Sequence, residues 1–321
     1  MRIVAALPAL LLWIAAPVSG AAQDSFPSRP ITIISPFSPG TPQDVINRAI
    51  GEAMAKDLGQ SIIVENRPGA AATLGAANMA ATARPDGYTI AGIGTTIVTV
   101  PQMQKVAYDP MKDFTYIAQL TAFPVGVTIR ADSPHKTWAD LIAYAKANPG
   151  SVTYGSPGAG SGAHLGMELV LKNAGVTMTH IPHQGAMPII AAVLGGHVVL
   201  QVSGMEWKPH VEQGDMRLLM MLSNKRHPTF PDVPSIGDFG FSMDLEPSGG
   251  FAGPKGMDPA VVRRLHDALK KAAEDPVVQA YYNKFDINYR YVSGPDFAAF
   301  LEQYGRRMKP IIEELGLQVK N

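Results

Sequence analysis

The chain has 321 residues, 46% hydrophobic and 17% charged, a balance that excludes wholesale disorder and supplies core for about two domains. Its 27 Lys and Arg face 27 Asp and Glu, and a formal charge of zero removes the general attraction on which nucleic-acid binding rests. There is no cysteine, so disulfide scaffolds, thiol nucleophiles and cysteine-ligated metals are excluded.

Residues 1–23, MRIVAALPALLLWIAAPVSGAAQ, carry Arg2 as the single charge before Asp24. An apolar run from Ile3 to about Pro17 ends in Ser19, Gly20, Ala21 and Ala22. This is the pattern of a cleavable secretory signal over residues 1–22, too short for the ~20 residues of a membrane span. No cysteine follows, so no lipid anchor is expected. Cleavage removes Arg2 and leaves a net charge of −1, 26 basic against 27 acidic residues. The expected product is soluble and exported.

Strands and helices then alternate. Ile31–Ile34 predicts a strand. Thr41-Pro42-Gln43-Asp44 reads as a capping box with proline at the first helical position. Apolar residues at Val45, Ile46, Ala49, Ile50, Ala53 and Met54 continue that helix, and Gly59 stops it. Ile62–Val64 is a strand, Leu74 to about Thr82 a helix, and Thr89–Gly92 a strand after the Pro85-Asp86-Gly87 turn. Residues from Ile117 to Ile129 read as extended. Thr137 to Asp140 is a second capping box, opening a helix that ends near Asn148-Pro149. Val152–Tyr154 is a strand, followed by a glycine-rich loop and a helix from about Gly162 to Asn173. Met178–Ile181, Pro188–Gly195 and Val198–Val202 repeat strand, helix, strand; Arg217–Ser223 is a further strand. Asp258-Pro259 and Ser293 to Asp296 open the last helices, with Pro310 expected to kink or interrupt the final one. The alternation means a parallel α/β architecture. Two such domains without a linker imply that the chain crosses between them more than once.

Two glycine loops stand at helix starts: Pro36-Phe37-Ser38-Pro39-Gly40-Thr41, and Tyr154 to His164. Each places backbone N–H groups and a hydroxyl at a helix N-terminus, which suits an anion. One such loop is also an ordinary strand-to-helix turn; two in one exported chain favour an acidic ligand. Gly158 to Ala163 fits G-x-G-x-x-A, but no acidic residue ends the next strand, so a dinucleotide is not expected. His164 and Glu168 lack a third metal ligand, and neither a nucleophile elbow nor a Walker loop is present. Nothing demands an enzyme, and no metal or organic cofactor is implied.

A series of motifs in order spans almost the whole chain. Phe26-Pro27-Ser28-Arg29-Pro30-Ile31 is followed by Pro36-Phe37-Ser38-Pro39-Gly40 with Asp44, Val64-Glu65-Asn66-Arg67-Pro68-Gly69-Ala70, Pro85-Asp86-Gly87-Tyr88-Thr89 and Tyr108-Asp109-Pro110. The second half has Tyr154-Gly155-Ser156, His164-Leu165, His180-Ile181-Pro182, Leu194-Gly195-Gly196 and Pro231-Asp232-Val233-Pro234. The order resembles the substrate-binding receptors of tripartite tricarboxylate transporters, also called the Bug family. The resemblance implies an α/β, two-lobed periplasmic binding protein, type II-like, with a mostly parallel sheet in each lobe and a ligand cleft between. Lobe 1 would hold residues 24–123 and 249–321, and lobe 2 residues 124–248. It further implies capture of a small organic carboxylate in the periplasm and delivery to a large and a small membrane subunit by an ion-driven transporter. A monomer is the default.

In the family one carboxylate sits on the second-lobe glycine loop, which maps here to Ser156, Gly160, Ser161, Gly162, Ala163 and His164. The first-lobe loop maps to Phe37, Ser38, Pro39, Gly40 and Thr41. Gly94, Thr95 and Thr96, then Gln184, Gly185, Met187 and Pro188, match other cleft segments, and Ser203 and Met205 follow a second-lobe strand. The chain departs from the family where Asp-Asn becomes Ser203-Gly204 and where Tyr-Lys-Gly becomes His183-Gln184-Gly185. A partner for an amino group is thus missing at Ser203, although Glu206 is close by. A buried ammonium wants a charged partner, so a non-amino dicarboxylate (C4 to C6) is expected over an amino acid. Met187, Met205 and Trp207 are an alternative lining for an aromatic acid. A ligand-presenting role toward a membrane sensor kinase stays open, as does an enzyme using His164, His183 or Ser161.

Overall fold

The structure is a computed structural model and describes residues 26–183, 185–241 and 245–319. The signal segment and Gln184 lie outside them.

The chain begins with β1 (Ile31–Ser35), α1 (Pro42–Leu58), β2 (Ile62–Asn66), α2 (Leu74–Thr82), β3 (Thr89–Gly94) and α3 (Thr96–Met103). β4 (Phe114–Ala122) runs through three residues into β5 (Gly126–Arg130). α4 (Trp138–Ala147), β6 (Thr153–Ser156), α5 (Gly162–Ala174), β7 (Thr179–Pro182), α6 (Ala186–Leu194), β8 (Leu200–Ser203), α7 (Lys208–Glu212) and β9 (Met216–Met221) follow. The chain ends with β10 (Ser248–Pro254), α8 (Pro259–Ala273), α9 (Pro276–Lys284), β11 (Asn288–Ser293) and α10 (Gly294–Glu314).

Two sheets result, ordered β11-β4-β10-β3-β1-β2 and β7-β6-β8-β5-β9. Both are mixed rather than mostly parallel. β1 is parallel to β2 and β3, and β6 to β7 and β8. Where the chain changes sheets the pairing turns antiparallel: β10 lies against β3 and β4, and β5 against β8 and β9. The extended segment at 117–129 is therefore two strands, one in each sheet. The crossings run side by side, Phe123 N–H donating to Pro247 O at 2.9 Å and Leu222 N–H to Val125 O at 2.8 Å. Three buried apolar clusters result, and the largest joins residues of both sheets through α5 and α10.

Local signals explain most helix ends. Thr41 Oγ1 accepts the Asp44 amide and Gly59 takes a left-handed φ of 66°. Thr137 and Asp140 form the expected reciprocal box. Pro310 does not interrupt α10: it faces solvent, while Leu301, Tyr304, Met308, Ile311 and Ile312 bury the opposite stripe, and packing of that stripe outweighs one missing hydrogen bond. α3 was not expected, because its β-branched run with an interior Pro101 carries no helix signal. No helix among the described residues is long and apolar enough to cross a membrane.

Candidate functional site

A cavity of about 310 Å³ lies between the two sheets, at the small end of small-molecule sites. Its wall combines Phe37, Gln43 and Asn47 with Gly94–Thr96, Phe123, Ser161–Ala163, Gly204, Glu206 and Pro247–Phe251. Among the described residues, Glu206 is the one ionisable side chain on this wall.

α5 presents the barer of the two glycine-loop helix ends. Ser161 is its N-cap: Oγ accepts the His164 amide at 3.2 Å, and its own N–H donates to Gly158 O at 3.2 Å. Gly160 N–H donates to His164 Nδ1 at 2.9 Å. That bond fixes the tautomer with the proton on Nε2. Gly160 has a φ of +75°, which favours glycine, and the end of the Met103 side chain from α3 packs against it. The amides of Gly162 and Ala163 have no acceptor among the described residues, and both residues line the cavity. A helix N-terminus with two unpaired donors and partial positive charge is an anion seat. Behind it His164 stacks on His180 at 3.8 Å between centroids, and Ser156 Oγ meets His180 Nε2 at 2.7 Å. Burial, with the neighbouring ring second, lowers His164 to about 3; burial, with His183 second, lowers His180 to about 4. Both are neutral at pH 7.

The end of α1 is filled by its own side chain. Asp44, 2% exposed, accepts Gly40 N–H at 2.9 Å, one residue further back than the capping box predicts. It also accepts from Asn66 Nδ2 at 2.5 Å and Arg48 Nε at 3.1 Å. Burial alone pushes this carboxyl up, but hydrogen bonds from Asn66, Gly40 and Arg48 outweigh that and hold it below the usual range. Pro42 has no N–H, so this end keeps only the Gln43 amide unpaired.

The facing wall comes from α3 and β10. Thr95 N–H donates to Ser248 O at 3.3 Å, while the Thr96 amide has no acceptor among the described residues. Gly94 permits that approach, since a Cβ would lie 2.8 Å from Ser248 O. Tyr304 of α10, its phenol pushed up to about 12 by burial, backs Thr95 and Gly162. Ser248 Oγ and Glu206 Oε2, both of residues on the wall, are buried with no partner among the described residues. Burial pushes the Glu206 carboxyl up. A second cavity of about 340 Å³ shares Gln43, Phe123, Gly204 and Glu206 with the first.

Of the expected site residues, the fold brings Phe37, Gly94, Thr95, Thr96, Ser161, Gly162 and Ala163 to one wall. Ser38, Pro39 and Gly40 are exposed, and Thr41 is engaged by Ser38 O and Asp44. Ser156, Gly160 and His164 lie behind the loop they support. Gly185, Met187 and Pro188 stand at the N-terminus of α6 and are not among the cavity's lining residues, Met187 being 62% exposed. Ser203 is buried with its hydroxyl on Gln201. Met205 lines the second cavity, and Trp207 is core, donating to Ser203 O. Sequence reading missed Gln43, Asn47, Gly204 and Ser248 and left Glu206 as a bystander. The Ser248-Gly249-Gly250 triplet was the available signal, since glycines in a strand mark close approach.

The chain matches the tripartite tricarboxylate transporter family receptor over residues 46–317. The "UPF0065 protein in gbd 5'region" of Cupriavidus necator is 41% identical over 306 residues, 95% of this chain and 93% of that protein. A TctC solute binding protein from Polaromonas, solved without ligand, superposes with a TM-score of 0.79 at 31% identity, covering 90% of this chain and all of the other. MatC from Rhodopseudomonas palustris with bound malate gives 0.74 at 27%, over 89% and 100% of the two chains. A second R. palustris protein, with adipate, gives 0.78 at 25%, over 91% and 98%. Members of this family are solute-binding receptors rather than enzymes. With most of its length matched and two mixed sheets around one cavity, this chain belongs to the tripartite tricarboxylate transporter receptor family.

Proposed function

We propose that this receptor captures a non-amino C4 to C6 dicarboxylate in the periplasm and delivers it to the large and small membrane subunits of a tripartite transporter. Export would use the signal over residues 1–22, and the working form is a monomer. One observation carries the reading: unpaired amides of Gly162 and Ala163 on one sheet's side, and of Thr96 on the other, line a single cavity with no Lys or Arg. One carboxylate accepts from α5 and the other from α3 or Ser248. A ligand held from both sides favours the closed arrangement of the two sheets. The relatives holding malate and adipate support the same class.

The apolar wall favours a second reading. Phe37 and Phe123 meet edge to face at 6.5 Å, and Phe251 lies on the same wall, which suits an aromatic carboxylate better than Met187 or Trp207 does. A thermal-shift and calorimetry panel of malate, succinate, adipate, citrate, aspartate, glutamate, terephthalate and protocatechuate separates the readings. Ligand at 100 times its Kd raises stability by about 2.7 kcal/mol. Dicarboxylates are expected to bind and to be recovered unchanged. Tight binding of aspartate or glutamate with none of malate or succinate sinks the proposal.

A further inference from the structure

We propose that Glu206 meets the ligand as a neutral carboxylic acid: its carboxyl O–H donates to one oxygen of the bound dicarboxylate, so capture takes up one proton from solvent. This rests on the dicarboxylate reading above. Glu206 lines the cavity and its Oε2 is buried with no partner among the described residues, while the other described groups on that wall are uncharged. An ionised carboxyl only accepts hydrogen bonds, whereas a protonated one donates. Two carboxylates facing each other in a dry cavity without a cation repel, and one proton removes that repulsion while adding a short, charge-assisted bond. Gly204 keeps the place open, since a Cβ there would lie 2.8 Å from Glu206 Oε2.

The charges around Glu206 leave it uncompensated. From α7 come Lys208 and Glu212, from the end of α9 Lys284, and from the turn after it Asp286; all four line the second cavity. Lys208 is held by Asp286 at 2.5 Å, with Glu212 at 3.9 Å. α1 offers the uncharged Gln43, and its Asp44 and Arg48 are engaged with each other and with Asn66. Glu246, buried on the crossing segment next to Pro247, is not on either wall. Burial already holds the Glu206 carboxyl above its ordinary range before any ligand arrives.

The test is calorimetry with malate and adipate above about pH 6.5, where both are doubly ionised, in two buffers of different ionisation enthalpy. The wild type should take up close to one proton per ligand, and its affinity should fall by up to about tenfold per pH unit as the solution becomes alkaline. Glu206→Gln, neutral and bearing an N–H donor, should lose the uptake and the pH dependence and keep affinity within about threefold of the wild type's low-pH value. Ser248→Ala should keep the proton uptake. Dicarboxylate binding without proton uptake at any pH up to about 9 overturns this proposal and leaves the receptor reading intact. A loss of malate affinity beyond about a hundredfold in Glu206→Gln also overturns it, because the ionised carboxylate then accepts from the malate hydroxyl. A wild type that binds no dicarboxylate at any pH overturns both.

Discussion

The starts of α1 and α5 share one plan and reach opposite results. Each has a hydroxyl N-cap, Thr41 or Ser161, and each has a glycine just before it whose amide is bound by the residue three past the cap. In α1 that residue is Asp44, an anion, and the first helical position is Pro42, which has no donor. In α5 it is His164, neutral, and the first helical position is Gly162, which keeps its donor. The helix charge at α1 is thus answered from within, and the one at α5 is left for a ligand. A glycine loop at a helix start is therefore not a ligand site until its own first turn has been accounted for.

Four outcomes would break or sharpen this contrast. The largest is expected from His164→Asp, which gives α5 the internal anion of α1. Malate or adipate affinity should fall at least about a hundredfold, roughly 2.7 kcal/mol by calorimetry, while His164→Asn, a neutral acceptor, stays near wild type. Equal affinity in His164→Asp would remove the anion seat from α5. Next, Asp44→Ala strands Gly40, Asn66 and Arg48 and should destabilise the fold by about 2 kcal/mol in urea, with little change in Kd. A large loss of affinity there would return α1 to the site. Ser248→Ala should weaken binding about tenfold with almost unchanged melting temperature, because its hydroxyl has no protein partner to lose.

The smallest effect is on pH. Folded His164 and His180 titrate below the ordinary 6.5, so the unfolded chain binds protons first as pH falls. Stability present above about pH 6.5 should drop by roughly 1 kcal/mol per histidine on going to about pH 5.5. His164→Asn should flatten that slope in a melting series; an unchanged slope would mean that His164 is solvated.

Legibility followed how local each signal was. The caps of α1, α4 and α5 and the stop at Gly59 depend on a few neighbouring residues, and the structure keeps them with small shifts. α3 and β10 were not legible. Thr96–Met103 is β-branched and becomes helical by packing against α10, and Ser248–Pro254 is more than half glycine and proline and becomes a strand because β3 and β4 flank it. Those two elements carry the wall opposite α5, so Thr96 was found through the family resemblance, Ser248 was missed, and Glu206 was seen without its place.

The sequence by itself determined the alternation of strands and helices, the receptor family, and a donor-rich loop before Gly162, because caps, turns and motif order are written over a few residues each. Only the tertiary structure decided that the α1 loop is self-satisfied, that the sheets are mixed, and that Glu206 is the lone ionisable group on the wall. Each of those turns on which atoms from distant segments meet, and on whether a buried polar atom finds a partner there.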